Sequence, residues 1–113
     1  MDFIPPDNIS EFPLRPAAAR ALLQQLATSH TERIFLSAHV RQRMAERRIS
    51  LRQILSVLGS RHSRFTEQPH LTPAGDWKLN MLGVAAGERI EVVVVLKRVA
   101  NDPAALVVTV MIH

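Results

Sequence analysis

Apolar positions along the chain change period twice, and the changes mark its elements. Residues 1–15 carry Pro5, Pro6 and Pro13 without any period, as an extended arm would, with Phe3, Ile4 and Phe12 available to pack on a domain. Pro16 suits a first helical turn. Ala17 to Ala27 then reads as a helix with Leu22, Leu23 and Leu26 on one side, ending over Thr28 to Thr31. Arg33 to Ser37 is a short apolar piece, an edge strand or an extended lead-in. Ser37 is placed to N-cap a helix starting at Ala38, in which Val40 and Met44 form a narrow apolar stripe. A break at Arg48-Ile49 precedes Ser50 and Gln53, the spacing of a capping box, so a further helix begins at Leu51. Ile54, Leu55 and Leu58 line that helix, and Gly59 ends it.

Beyond Gly59 the pattern is one of strands and turns. Strands are expected over His62 to Gln68, Trp77 to Val84, Ile90 to Leu96 and Leu106 to Ile112. A loop rich in proline joins the first two (Pro69 to Asp76), and turns at Ala85 to Glu88 and Asn101-Asp102-Pro103 join the others. The valine run from Ile90 suits a central strand covered on both faces. The predicted fold is α+β: an N-terminal helix, then two consecutive helices packed on one face of a curved antiparallel sheet of four strands. Its division is an arm and helix over 1–32 and an α+β unit over 33–113, in a single compact whole. No internal repeat interrupts this order.

Length and charge sharpen the picture. A chain of 113 residues holds one modest core. The longest apolar run, Val92 to Leu96, is far shorter than the roughly 18 residues of a membrane span, and MDFIPPDNISEF lacks the basic-then-apolar pattern of a secretory signal. With no cysteine, disulfides, thiolate metal sites and cysteine nucleophiles are excluded, which fits a cytoplasmic protein. The net charge is +4. Between Ala38 and Arg64, seven arginines (41, 43, 47, 48, 52, 61, 64) face one acid, Glu46, so the remainder of the chain is net negative. Such localised charge favours a polyanion, either nucleic acid or an acidic protein surface.

There is no glycine-rich phosphate loop and no GxSxG elbow. The five histidines (30, 39, 62, 70, 113) show no metal-ligand spacing, so neither a metal nor another cofactor is expected. The chemical candidate is the row His39, Arg43 and Arg47, which recurs every fourth residue along one helix face. An imidazole can move a proton, and guanidinium groups can hold phosphate and stabilise developing charge. Together they suit metal-free RNA cleavage, in which the ribose 2′-hydroxyl attacks the adjacent phosphate. The same row also reads as a solvated helix face, with Arg43 paired to Glu46. Arg48, Arg61, Arg64 and Lys78 are candidates for holding an RNA backbone, with His62 beside them. Arg61, His62 and Arg64 read equally as the charges that guard an edge strand. Trp77 beside Lys78 is either a base-stacking platform or a core residue. His113 closes the last strand, frayed or projecting into a cleft, and Thr109 can hydrogen-bond across the sheet.

The span FLSAHVRQRMAERRIS with LRQILSVLG, then GDWKLNMLG, GERIEVVVVL and LVVTVMIH, resembles a small bacterial and mobile-element family. That family is filed as a domain of unknown function within the RelE/ParE-like toxin superfamily, which includes BrnT. The shared residues are His39, Arg43-Met44, Arg48, Ile49, Ser50 and the late Val108-Thr109-Val110, over roughly residues 33 to 112. The resemblance implies a RelE-like fold, endoribonuclease activity free or on the ribosome, and neutralisation by a cognate antitoxin. The chain is expected as a monomer or homodimer. A late tyrosine often serves RelE-type toxins. This chain has none, so catalysis falls to His39 and its arginines, with His113 as a further candidate. The alternative is a non-catalytic basic module that binds nucleic acid or an acidic partner.

Overall fold

The structure is a computed structural model that describes residues 15–113; the expected arm before Arg15 lies outside the described residues. Helix α1, Pro16–Ser29, starts on its proline and buries Ala18, Ala19, Leu22, Leu23 and Leu26 along one stripe. A 3-10 turn, Thr31–Arg33, which the pattern did not announce, leads into strand β1, Ile34–Leu36. Helix α2, Ala38–Arg47, is capped by Ser37, whose hydroxyl accepts from the Val40 amide at 3.0 Å. It stops at Arg48, which holds a left-handed φ of 55°, while the next amide, Ile49, returns to Met44 O and its side chain enters the core. Helix α3, Leu51–Gly59, has the full capping box: Gln53 N donates to Ser50 Oγ (3.1 Å), and Ser50 N to Gln53 Oε1 (2.8 Å).

Four strands follow: β2, Arg64–Leu71; β3, Trp77–Ala85; β4, Glu88–Val99; and β5, Asp102–Ile112. β2 runs on through Pro69, tolerated because β2 lies at a sheet edge. The β3–β4 and β4–β5 hairpins turn through Ala86-Gly87 and Ala100-Asn101, and positive φ at all four residues matches the right-handed twist of the paired strands.

The sheet differs from the expected four antiparallel strands. Among the described residues it has five, in the order β1-β5-β4-β3-β2, and β1 is parallel to β5 with Ile34 opposite Ala105. A three-residue strand carries too little pattern to reveal its direction; tertiary bonds set it. Ser37 N donates to Val107 O (3.1 Å) and Ser37 Oγ to Val108 O (3.2 Å) at one end. At the other, the Arg33 guanidinium spans the β4–β5 turn, donating to Val99 O (2.5 Å), Asp102 O (2.9 Å) and Pro103 O (3.3 Å).

All three helices contribute to one core on one face of the sheet. Trp77, Leu79 and Met81 of β3, Ile90, Val92, Val94 and Leu96 of β4, and Ala105, Val107 and Val110 of β5 meet Leu22, Leu26, Val40, Ile54 and Leu58 there. α1 packs its apolar stripe into this same core. Strand alternation sends the intervening residues to the opposite face. A bulge between Val107 and Thr109 resets β5, so Val110 still faces the core while Thr109, opposite Val93, does not.

Candidate functional site

On the face that carries no helix among the described residues, register lines side chains up in rows across the strands. One row runs Phe35, Leu106, Val95, Lys78, His70; the next holds Thr109, Val93, Asn80 and Glu67. A third places Met111, Glu91, Leu82 and Arg64 abreast. Past it, the His113 amide donates to Arg89 O (2.8 Å), with Val84 opposite Arg89.

Glu91 is the focus of this face. It sits in a valine strand and is only 9% exposed, a setting that penalises a charge unless the charge is held. Both carboxylate oxygens are engaged. Oε2 accepts from Thr66 Oγ1 (2.5 Å) and Asn80 Nδ2 (3.0 Å), and Oε1 lies 2.7 Å from His113 Nε2. The Thr66 hydroxyl above all, then Asn80 and His113, hold the carboxyl below the usual carboxylate range, against a burial that pushes it up. An ionised carboxylate only accepts, so His113 presents its Nε2 proton to Glu91 and leaves Nδ1 for another partner. The His113 side chain is 45% exposed. Asn80 Oδ1 is buried with no hydrogen-bond partner among the described residues, an acceptor left beside the pair.

The sign of this linkage is testable. Because the folded-state value is lowered, the Glu91 contacts contribute stability that is complete above the ordinary carboxylate range and is lost as pH falls through the lowered value. Denaturant unfolding followed from neutral pH into the acid range should therefore show a steeper fall for the parent chain than for Glu91→Gln. Parallel curves would contradict the hold on this carboxylate.

The structure splits the residues singled out from sequence into two groups. His39, Arg43, Arg47 and Arg48 stand on or at the end of α2, in the helical layer, across the sheet from Glu91. His39, Arg47 and Arg48 are exposed, while Arg43 Nη1 reaches Glu46 Oε2 at 3.3 Å and Gln42 shares that carboxylate at 3.0 Å. The row is real as geometry, and it holds the ion pair that the solvated-face reading anticipates. Arg61 lies in the turn before β2. Arg64, Lys78, Thr109 and His113 are on the open face. Trp77 is not: at 7% exposure it belongs to the core, so it offers no platform for stacking.

Glu91, Thr66, Asn80 and Arg89 were missed. The signal for Glu91 was present in GERIEVVVVL, because one acid inside a run expected to be covered on both faces is rarely placed there without partners. Its partners on β2, β3 and β5 could not be read without the register. Among the described residues, no group of three His, Cys, Asp or Glu side chains gathers as a metal site, and no helix is long and apolar enough to cross a membrane.

Fold and site together define a small α+β protein with a carboxylate–imidazole pair seated on an open, partly cationic sheet. The chain belongs to the family described as domain of unknown function DUF4258, which matches residues 36–112. No curated protein and no solved structure gives a significant match. The matched span takes in Thr66, Asn80 and Glu91 and begins after α1.

Proposed function

We propose that this protein is a cytoplasmic endoribonuclease of the RelE-like toxin kind, cleaving RNA through its own 2′-hydroxyl, with an antitoxin as its protein partner. The observation that carries the reading is the Glu91–His113 pair at 2.7 Å on the open face. His113, rather than His39, is the proton-moving group. His39 is exposed on α2 and no carboxylate among the described residues orients it, whereas Glu91 fixes the tautomer and orientation of His113. Glu91 is a positioning residue: with both oxygens occupied and its carboxyl shifted down, it is a weak base.

In the reaction, His113 Nδ1 takes the proton of the 2′-hydroxyl. The 2′-oxygen then bonds to phosphorus, the bond from phosphorus to the 5′-oxygen breaks, and that oxygen leaves with a proton from solvent. The products are a 2′,3′-cyclic phosphate and a 5′-hydroxyl, and His113 returns its proton to water. Lys78, on the same face, supplies positive charge to the phosphate.

The test is purified protein with single-stranded RNA in chelator, with ribosomes added in a parallel arm. Fragments should carry cyclic phosphate ends, and a 2′-deoxy strand should stay whole. Intact RNA in both arms, or cleavage of the deoxy strand, would overturn the reading.

A second reading, a non-catalytic module for nucleic acid or an acidic partner segment, is favoured by the exposure of His39, Arg47 and Arg48 along α2. It predicts binding that weakens strongly with salt, without cleavage. In the toxin reading, that same face receives the antitoxin.

A further inference from the structure

A cleft of about 380 Å³ opens at one end of the open face, lined by Ser60, His62, Arg64, Leu82, Val84 and Arg89, among others. Its nitrogen-bearing side chains come from three places: His62 from the turn before β2, Arg64 from the first residue of β2 and Arg89 from the start of β4. Arg64 and Arg89 are both exposed, and neither forms an ion pair among the described residues. Two unneutralised guanidinium groups facing one concavity repel each other unless an anion or solvent lies between them. Gly83 lies against the wall beneath: a Cβ there would strike Ser63 Oγ, which is tied to Val57 O at 2.7 Å. The wall is thus narrow and braced.

Its position relates it to the acid–base pair. Arg64 shares a row with Leu82 and Glu91, and Arg89 is two residues before Glu91 on β4, about 7 Å along the strand. The backbone of Arg89 bonds to that of His113. A strand of nucleic acid with one phosphate at His113 therefore has an adjoining stretch of backbone over this cleft. Val84, 68% exposed on its rim, offers apolar contact to a sugar or base.

We infer that the Arg64–Arg89–His62 cleft is a subsite for the backbone phosphate next to the scissile one, in single-stranded RNA. The inference rests on the endoribonuclease reading for the identity of the strand, but it is tested by binding alone. The arginines act as a fork on phosphate oxygens, and His62 adds a donor at the mouth.

The probe is a short single-stranded 2′-O-methyl oligonucleotide, which lacks the attacking hydroxyl and cannot be cut by the proposed route. Its affinity is measured over a series of salt concentrations for the parent chain, the double variant Arg64→Gln/Arg89→Gln, and Arg52→Ala, an exposed cation on α3 in the helical layer. The double variant should bind roughly tenfold or more weakly at low salt, and its log–log salt slope should be shallower by about 0.7, the value for one phosphate on a single strand. Arg52→Ala should match the parent chain. Both replaced side chains are exposed, and an unchanged denaturation midpoint confirms that the variant is folded.

A double variant with the parent's affinity and slope overturns the subsite, as does equal weakening by Arg52→Ala. So does a parent chain that fails to bind, or displacement of the probe by inorganic phosphate at equal phosphate concentration, which would mark a free-anion site. Parent protein that binds as described yet leaves ordinary RNA intact supports the subsite and overturns only the nuclease.

Discussion

Replacing His113 with alanine should lower the rate of RNA cleavage by about 10²–10⁴-fold, the usual loss when a proton-transferring side chain is removed. His39→Ala should leave the rate unchanged. The contrast follows from orientation. His113 donates Nε2–H to a carboxylate that Thr66 and Asn80 hold in place, so its other nitrogen has a defined direction and tautomer. His39 turns on an exposed helix face across the sheet. Glu91→Gln provides the internal check. It retains the shape but removes the charged acceptor that orients the imidazole, so the cleavage rate per folded molecule should fall with KM little changed. A merely structural role for Glu91 would lower the amount of active protein and leave the rate per folded molecule where it was. Equal loss on replacing His39 and His113, or loss on replacing His39 alone, would return the chemistry to α2.

The second large effect concerns α1. Leu22→Ala or Leu26→Ala should each cost about 2–5 kcal/mol of unfolding free energy, the range for a buried leucine that leaves a cavity. Both side chains are fully buried, in one core with Leu58 of α3 and Ile90 of β4. Since small domains have only about 5–15 kcal/mol in total, the double variant should lie near or past the unfolding threshold. Urea denaturation gives the values, with Ala21→Ser on the exposed side of the same helix as a control expected near zero. A cost below about 1 kcal/mol for either leucine would mean that α1 is an accessory and that the domain is complete without it. The family match beginning at residue 36 makes this more than a packing question, because the core of this chain recruits a helix from outside the matched span.

Helix ends were legible because local chemistry sets them. Ser37 and Ser50 cap the amides that follow, and Pro16 starts a helix. The valine run likewise announced a central strand, and β4 is the middle of five. The direction of β1 was not legible, since it depends on Arg33 and Ser37 reaching carbonyls some 70 residues away. The same holds for Trp77, whose place in the core rather than on the surface follows from which face of β3 the helices cover.

The candidate site divides along the same line. The chain by itself determined the local elements, their order, the α+β class and the concentration of arginine between Ala38 and Arg64, because capping, periodicity and charge act between near neighbours. Only the tertiary structure decided that Thr66, Asn80, Glu91 and His113 meet, since that meeting requires β2, β3, β4 and β5 to lie side by side in one register. A slip of one residue in that register would turn Glu91 into the core and dissolve the cluster. The arginine-rich helix α2 lies on one side of the sheet, while alternation along β4 and the bulge in β5 put the carboxylate–imidazole pair on the other.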